Sequence, residues 1–475
     1  MQIDYLVELL NTSLTKISPA DHRLVLASIL SYLLSFLSPH LSNCLYIREI
    51  LHLIFGLLIL GILYNTLNLS LIVLSVVVNL FLCYLPLKEK DSRVKVVVAL
   101  NLILMLIAYL VYDTNDNNLF LTLSVLFMKY VYLALEYLPQ SMGVMRYFGY
   151  IFFIPGMRYG PVLSYAAYSK WQDLGYTTLT AQIPKEKIDA EVGQETDAKR
   201  IATIKEHLAI KEYYRLVALG LAKFGVGLTW LVVYPVIYQQ VVAAASKTNG
   251  LWAVPMIELL GVVGQLSLLA KWYLEEASYL THFITDMSNT KPKELILSGS
   301  FAEMCAAWNI QGSKFMHVLG RVLFTTKSSS TNSFFDEYLR TSLLAYGHVL
   351  LFPQSLGALV LATLSIFMLA CGIDSITAQF GLDGYLATII NLIFARVFFS
   401  YFMIVPFYPP SLVMYLWSLS KYYGQFICLC GMSRRVSASL NAPAPPQDDS
   451  DLPATPADLS GRHRPHKSTP TPTSQ

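Results

Sequence analysis

The sequence predicts an all-α protein, a polytopic bundle of about 9–12 transmembrane helices with further interfacial helices. Two observations predict this class. Of the 475 residues, 55% are hydrophobic and 14% are charged, whereas soluble domains average about 25% charged residues. Apolar runs long enough for membrane helices recur along most of the chain, separated by short polar segments. This spacing indicates helices rather than the short alternating strands of a membrane barrel.

The predicted spans form two groups on either side of a long polar stretch. The first group contains the apolar runs at 24–37, 51–64, 67–85, 96–112 and 119–138. The second group contains runs at 216–245, 251–269, 386–405 and 412–430, and a further run that follows Arg340. Pro235 is expected to kink or end its helix, because proline removes one helical hydrogen bond.

The polar stretch at 170–215 carries eight basic and eight acidic residues. Its second half has Ile201, Ile204 and Leu208 at helical spacing, which predicts an amphipathic helix on the membrane face. The balance of charge favours a solvated face over a site for a charged partner.

The last forty residues differ from the rest of the chain. Residues 436–475 contain eight of the 22 prolines and no aromatic residue, so they cannot bury a core. The chain is therefore expected to comprise a membrane-embedded domain, 1–435, and a disordered Pro-rich tail, 436–475. Arg434 and Arg435 at the start of the tail favour its cytosolic placement.

Two charged side chains lie inside apolar or broken segments. Lys129 is near the middle of the 119–138 run and shares a helix face with Glu136; the two either pair, line a polar interior, or reach opposite interfaces. Residues 149–168 contain two helix-breaking prolines, and irregular backbone at membrane depth must face protein or a water-filled cavity. Arg158, near their middle, either lines such a cavity and contacts an anion or snorkels to the membrane surface.

One histidine lies deep in an apolar run. No charged residue occurs between Arg340 and Asp374, and His348 is eight residues inside this run, roughly 12 Å along a helix. An ionisable side chain at such depth is costly, which makes His348 a candidate functional residue. His282 and His317 have charged neighbours within a turn or two and are expected at an interface.

Several function classes lack support in the sequence. The net charge of +3, without a basic patch interleaved with aromatic residues, argues against nucleic-acid binding. The six cysteines are scattered, which predicts neither a disulfide framework nor a zinc site. Phosphate-binding loops, nucleophile elbows and zinc-protease motifs are missing from the sequence.

Two segments resemble a known family. Trp308-Asn309, followed 39 residues after the asparagine by His348 in an apolar helix, resembles the membrane-bound O-acyltransferase family. The segment around Gly160-Pro161 resembles the lysophospholipid branch of that family.

The resemblance implies an enzyme that moves a fatty acyl group from acyl-CoA to the free hydroxyl of a lysophospholipid, in a reaction chamber enclosed by the helices. It implies that His348 is the general base and that Asn309 positions the reacting groups. Arg158, Lys129 and Trp308 are the expected substrate-binding residues. Acyl-CoA serves as co-substrate, and neither a cofactor nor a metal is expected. The expected location is the endoplasmic reticulum membrane, which the chain crosses many times. Whether the protein forms a homodimer is left undecided by the resemblance.

Two alternatives remain at this stage. The acceptor could be another lipid or a protein hydroxyl instead of a lysophospholipid. In a different class, a transporter, Lys129, Arg158 and His348 would line a pathway across the membrane. A hydropathy repeat relating two halves of the chain would favour the transporter, and the sequence has no evident repeat of this kind.

Overall fold

The computed structural model describes most of the chain up to residue 324 and part of the chain beyond it. The described residues are 19–41, 45–84, 89–111, 117–136, 143–174, 185–192, 198–297, 304, 307–324, 393, 396–397, 400–401, 404–405 and 407–422. The predicted helix that contains His348 and the Pro-rich tail lie outside these residues.

Helices account for nearly all of the regular structure in these ranges. In chain order they are α1 (Pro19–Leu41), α2 (Leu45–Leu63), α3 (Thr66–Tyr84), α4 (Lys90–Val111), α5 (Asn117–Glu136), α6 (Val144–Ile151), α7 (Tyr165–Leu174), α8 (Lys185–Val192), α9 (Ala198–Ala245), α10 (Ala253–Thr281), α11 (Pro292–Leu297), α12 (Ile310–Phe324) and α13 (Pro410–Leu419). A 3₁₀ turn, Gly250–Trp252, precedes α10. Extended pairing within the described residues is limited to one antiparallel bridge, between Thr290 and Trp308.

The helical lengths confirm the predicted fold class. Within the described ranges, five helical segments are long and apolar enough to cross a membrane, namely Tyr46–Leu63, Thr66–Tyr84, Leu119–Glu136, Lys199–Ala245 and Gly250–Thr281. Each overlaps a predicted span. In the α5 segment 94% of the residues are buried, against 33–50% in the other four. Helix α5 is therefore the centre of the described bundle, and the other four turn more of their apolar surface outward.

Helix α9 bears on two expectations. It runs without interruption for 48 residues and contains Pro235, so of the kink or end expected at this proline, the end is ruled out. A break at this point would leave more backbone groups unpaired in an apolar environment than the one bond that proline removes. The polar residues from Ala198 onward are likewise not a separate interfacial helix but the first turns of α9. There Ile204 and Leu208 pack against Leu280 and Phe283.

Helices α9 and α10 form a closely packed antiparallel pair. Residue 223 faces residue 276, whereas the backbone at Gly227 faces Ala270 and Leu274. A Cβ atom at Gly227 would lie 2.8 Å from the Ala270 carbonyl oxygen, so this approach requires glycine. Small residues allow such approaches between membrane helices.

The predicted break in residues 149–168, called the Gly-Pro segment below, is confirmed. Helix α6 ends at Ile151 and α7 begins at Tyr165, and the backbone between them is not helical. Side chains of α10 bind this irregular segment: Tyr279 Oη donates to the Pro161 carbonyl at 2.8 Å, and Trp272 Nε1 donates to the Tyr159 carbonyl at 3.2 Å. The segment is therefore held inside the bundle, against α5 and α10.

Candidate active site

The Trp308-Asn309 motif lies where two short extended segments meet. Thr290 and Trp308 form the antiparallel bridge. The Lys291 N–H donates to the Ala307 carbonyl at 3.0 Å, and the Ile310 N–H donates to the Asn289 carbonyl at 2.9 Å. Helix α12 begins directly afterwards, so the motif is fixed between a paired segment and a helix start.

Asn309 occupies an unusual backbone conformation at this junction. Its φ is +47°, a left-handed conformation that asparagine adopts more readily than most residues. Its carbonyl accepts the Ser313 N–H at 2.9 Å, in the first turn of α12. A Cβ atom at Gly312 would lie 2.5 Å from Asn309 Nδ2 and 2.6 Å from Oδ1. The carboxamide therefore packs flat on the helix backbone, in space that only glycine leaves open.

The two polar atoms of the Asn309 side chain have different partners. Oδ1 accepts a hydrogen bond from Asn289 Nδ2 at 3.1 Å. Nδ2 is buried and has no hydrogen-bond partner among the described residues. A buried amide donor normally finds a partner, so an Nδ2 that has none among the described residues is available to bind a reacting group.

Asn309 forms part of the wall of a small cavity of about 10 Å³, room for roughly one water molecule. The described lining residues are Leu121, Val125, Met128, Tyr159, Gly160, Pro161, Val162, Trp272, Asn289, Asn309, Gln311 and Gly312. The cavity brings together α5, the Gly-Pro segment, α10 and the start of α12. It is far smaller than the roughly 300 Å³ of a typical ligand pocket, and an enclosed reaction chamber stays a prediction.

Trp308 lies beside this cavity. Its side chain is buried and its ring centroid is 4.8 Å from that of Trp272, with the planes inclined by 57°. Trp272 itself lines the cavity. Trp308 thus packs against a residue of the cavity wall without lining the cavity itself.

Lys129 is buried at the centre of the bundle and does not pair with Glu136. Its Nζ donates to the carbonyl oxygens of Tyr150, Ile151 and Phe153 at 3.2, 2.9 and 3.4 Å. An ammonium group has three donors, and here all three bind the end of α6 and the start of the Gly-Pro segment. The Glu136 carboxylate instead accepts the Ala166 N–H at 2.7 Å, at the start of α7.

Arg158 is also buried, with 1% of its surface exposed, and it has an acidic partner. Its Nε donates to Glu275 Oε1 at 2.7 Å, and Nη1 donates to Ser28 Oγ at 3.0 Å. The other carboxylate oxygen, Oε2, accepts the Gly156 N–H at 2.7 Å. Nη2 has no hydrogen-bond partner among the described residues. The guanidinium is thus buried inside protein and bound to α10 and α1, with one donor that no described residue accepts.

The structure describes the surroundings of His282 but not those of His348, the candidate functional histidine. His348 lies outside the described residues, and the structure therefore does not test its role. His282 was expected at an interface, but its side chain is fully buried within the protein. Its ring packs with those of His52, Phe153 and Trp171, at centroid distances of 5.7, 5.2 and 5.4 Å.

Three residues near the site were not singled out from the sequence. Glu275 and Glu276 lie in the last three turns of the long apolar helix α10. Adjacent acids there signal buried partners, although the sequence does not identify those partners. Asn289 has no sequence signal. It lies in a short polar segment, and only the bridge between Thr290 and Trp308 brings it to Asn309.

The described fold defines a polytopic helical membrane protein. The family model of the membrane-bound O-acyltransferases matches residues 54–318, which is more than half of the chain. The chain belongs to the membrane-bound O-acyltransferase family. The matched range includes Lys129, Arg158 and Asn309, and it ends before His348. No curated protein sequence matches the chain.

Proposed function

We propose that this protein transfers a fatty acyl group from acyl-CoA to the free hydroxyl of a lysophospholipid, and so takes part in phospholipid remodelling. The observation that carries the proposal is the Asn309 carboxamide. It is buried inside a membrane O-acyltransferase fold, held by Asn289, and leaves one amide donor free in a residue that lines a cavity.

The reaction requires a base, a donor for the developing negative charge and the exclusion of water. The acceptor oxygen attacks the thioester carbonyl carbon, the new C–O bond forms and the C–S bond breaks. His348 takes the hydroxyl proton and returns it to the leaving thiolate, a role that suits a neutral imidazole. Asn309 Nδ2 donates to the carbonyl oxygen as charge develops on it, and such a donor contributes roughly 10²–10³ in rate. A bundle interior excludes water that would otherwise hydrolyse the thioester.

The acceptor side of the proposal rests on Arg158. A lysophospholipid carries a phosphate, and an anion in a low dielectric needs hydrogen-bond donors or a cation. Arg158 retains one buried donor, Nη2, although Glu275 already balances its charge. Lys129 acts behind it by holding the Gly-Pro segment, and Trp308 supports the apolar wall.

Placement in the endoplasmic reticulum membrane belongs to the same proposal. Acyl-CoA is water-soluble and is expected to enter from the cytosolic side, whereas a lysophospholipid is expected to enter laterally from the bilayer. Acyl-CoA is the co-substrate, and the proposed chemistry needs no metal because the thioester is already activated.

The test is an acyl-transfer assay with the purified protein in lipid nanodiscs. Labelled acyl-CoA is offered with a panel of lysophospholipids that differ in headgroup, with a lipid alcohol and with a serine-containing peptide. We expect label in the phospholipid product, and loss of this product in the Asn309→Ala variant. Transfer only to the alcohol or the peptide would replace the lysophospholipid by another acceptor. Absence of transfer to every acceptor would contradict the enzyme function.

A further inference from the structure

Asn289 is a buried residue whose four polar groups are all hydrogen-bonded. Its backbone N–H donates to Glu276 Oε1 at 2.8 Å, and its backbone carbonyl accepts the Ile310 N–H at 2.9 Å. In its side chain, Oδ1 accepts the Gln311 N–H at 3.0 Å and Nδ2 donates to Asn309 Oδ1 at 3.1 Å. Asn289 thus contacts the site through its side chain and the bundle through its backbone.

These bonds determine the orientation of two side-chain amides, first that of Asn289 and then that of Asn309. The Gln311 backbone N–H can only donate, so the Asn289 atom that faces it must be the oxygen. The opposite atom of Asn289 is then the amide nitrogen, which can only donate. The Asn309 atom that receives this bond must in turn be its oxygen. Asn309 is therefore left with its nitrogen as the free donor.

We infer that Asn289 is a positioning residue for acyl transfer, which orients the Asn309 carboxamide so that Nδ2 is the free donor to the acyl carbonyl. This inference rests on the proposed function of Asn309. Without Asn289 the amide of Asn309 could rotate by half a turn. It would then offer an oxygen to the carbonyl, and two oxygens with partial negative charge would repel.

The position of Asn289 is itself secured from α10 and α9. Glu276 is buried on α10, and its second oxygen, Oε2, binds Lys223 Nζ on α9. The carboxylate thus receives one N–H from Asn289 and one ammonium from α9. The α9–α10 pair in this way holds the segment whose side chain orients Asn309.

The test is the Asn289→Asp variant of the full-length protein, assayed with acyl-CoA and a lysophospholipid. At neutral pH its carboxylate can accept the Gln311 N–H but cannot donate to Asn309. We expect kcat to fall at least tenfold, while KM for acyl-CoA changes by less than threefold. A carboxylic acid carries a proton that it can donate. The ratio of variant to native kcat should therefore rise as pH falls from 8.5 to 5.5, and a loss that does not depend on the donated proton predicts a flat ratio.

Asn101→Asp provides a matched control. Asn79 and Asn101 form a second buried amide pair, between α3 and α4, with hydrogen bonds of 3.0 and 2.8 Å in the two directions. The same chemical change there should lower thermal stability without altering kcat or its pH profile. If Asn289→Asp does not accumulate as folded protein, Asn289→Ser replaces it. Serine offers an acceptor oxygen but is too short to hold Asn309, and the same fall in kcat is expected.

A native kcat in Asn289→Asp would overturn the inference and leave the proposed function intact. The same holds for Asn289→Ser if that variant has to replace Asn289→Asp. An equal loss with a flat pH ratio would also overturn it, because the loss would then not depend on the hydrogen bond donated to Asn309. Failure of the native protein to transfer acyl groups to any lysophospholipid would refute the proposed function, and the inference with it.

Discussion

Arg158 and Glu275 form an ion pair that is almost completely buried, with 2.7 Å between Nε and Oε1 and exposures of 1% and 0%. The two residues are 117 positions apart in the chain. Because removal of one partner leaves a buried charge without compensation, such pairs are sensitive to single substitutions. This relationship separates two roles for Arg158, one in structure and one in binding the acceptor.

The first prediction uses this pair. Arg158→Gln alone should destabilise the protein by about 3–5 kcal/mol, because Glu275 is left unpaired. The double variant Arg158→Gln/Glu275→Gln removes both charges and should recover most of this stability. If Arg158 binds the phosphate, the double variant still shows a KM for lysophospholipid about tenfold to a hundredfold higher. KM for acyl-CoA should not change. Native values of both constants in the stable double variant would show that Arg158 acts only in structure.

Lys129 yields a prediction about stability. Lys129→Met keeps the length of the side chain but leaves the Tyr150, Ile151 and Phe153 carbonyls without their donor. Each unsatisfied buried group costs about 1–3 kcal/mol, so thermal unfolding in detergent should occur at clearly lower temperature. Lys170→Met, at an exposed position, is the control and should unfold like the native protein. Equal unfolding temperatures for the two variants would contradict the structural role of Lys129.

Gly312 should be essential for activity rather than for folding. In Gly312→Ala the new methyl group would lie 2.5 Å from Asn309 Nδ2, so the carboxamide must move. We expect activity to fall at least about tenfold, because a displaced oxyanion donor loses much of its effect. Gly225→Ala is the matched control, since a Cβ atom at Gly225 meets nothing within 4 Å. Comparable activities in the two variants would argue against a catalytic role for the Asn309 amide.

The proposed base is tested by His348→Ala. Alanine is well tolerated in an apolar helix, so expression and membrane insertion should be unchanged while acyl transfer is lost. A positioned base contributes about 10²–10⁴ in rate. His207→Ala, at an exposed position of α9, should retain native activity. Activity of His348→Ala within about tenfold of native would be incompatible with this role, and the buried His282 would then be the next residue to replace.

The orientation in the membrane is tested by cysteine labelling in a variant without native cysteines. Asp189→Cys reports on the exposed face of α8, and Ser460→Cys reports on the tail. Both should react with an impermeant maleimide from the cytosolic side, because Arg434 and Arg435 favour that side. A lumenal tail would reverse the proposed orientation. Labelling of the two sites from opposite sides would contradict the cytosolic placement of α8 and would indicate an odd number of crossings between them.

The sequence alone determined the class of the protein and the approximate positions of the five long apolar helices that the structure describes. Apolar runs such as 67–85 and 119–138 are long enough to cross a bilayer, and in lipid such a run must satisfy its backbone internally, which selects a helix. The break at 152–164 also follows from local chemistry, because Pro155 and Pro161, six residues apart, each remove a helical hydrogen bond, whereas the single Pro235 is accommodated inside α9. The Trp308-Asn309 motif predicted the family, and the family match covers that motif.

The tertiary structure decided the partners of the polar side chains. Lys129 could have paired with Glu136, its neighbour on the same helix face, but it binds three carbonyls of a segment that folds over it. Arg158 meets Glu275, and Asn309 meets Asn289, through contacts that no local spacing specifies. In an apolar interior each buried polar group must find whichever partner the packing of distant helices brings within 3 Å or so. That choice depends on how the helices pack, and a pattern along one chain does not contain it.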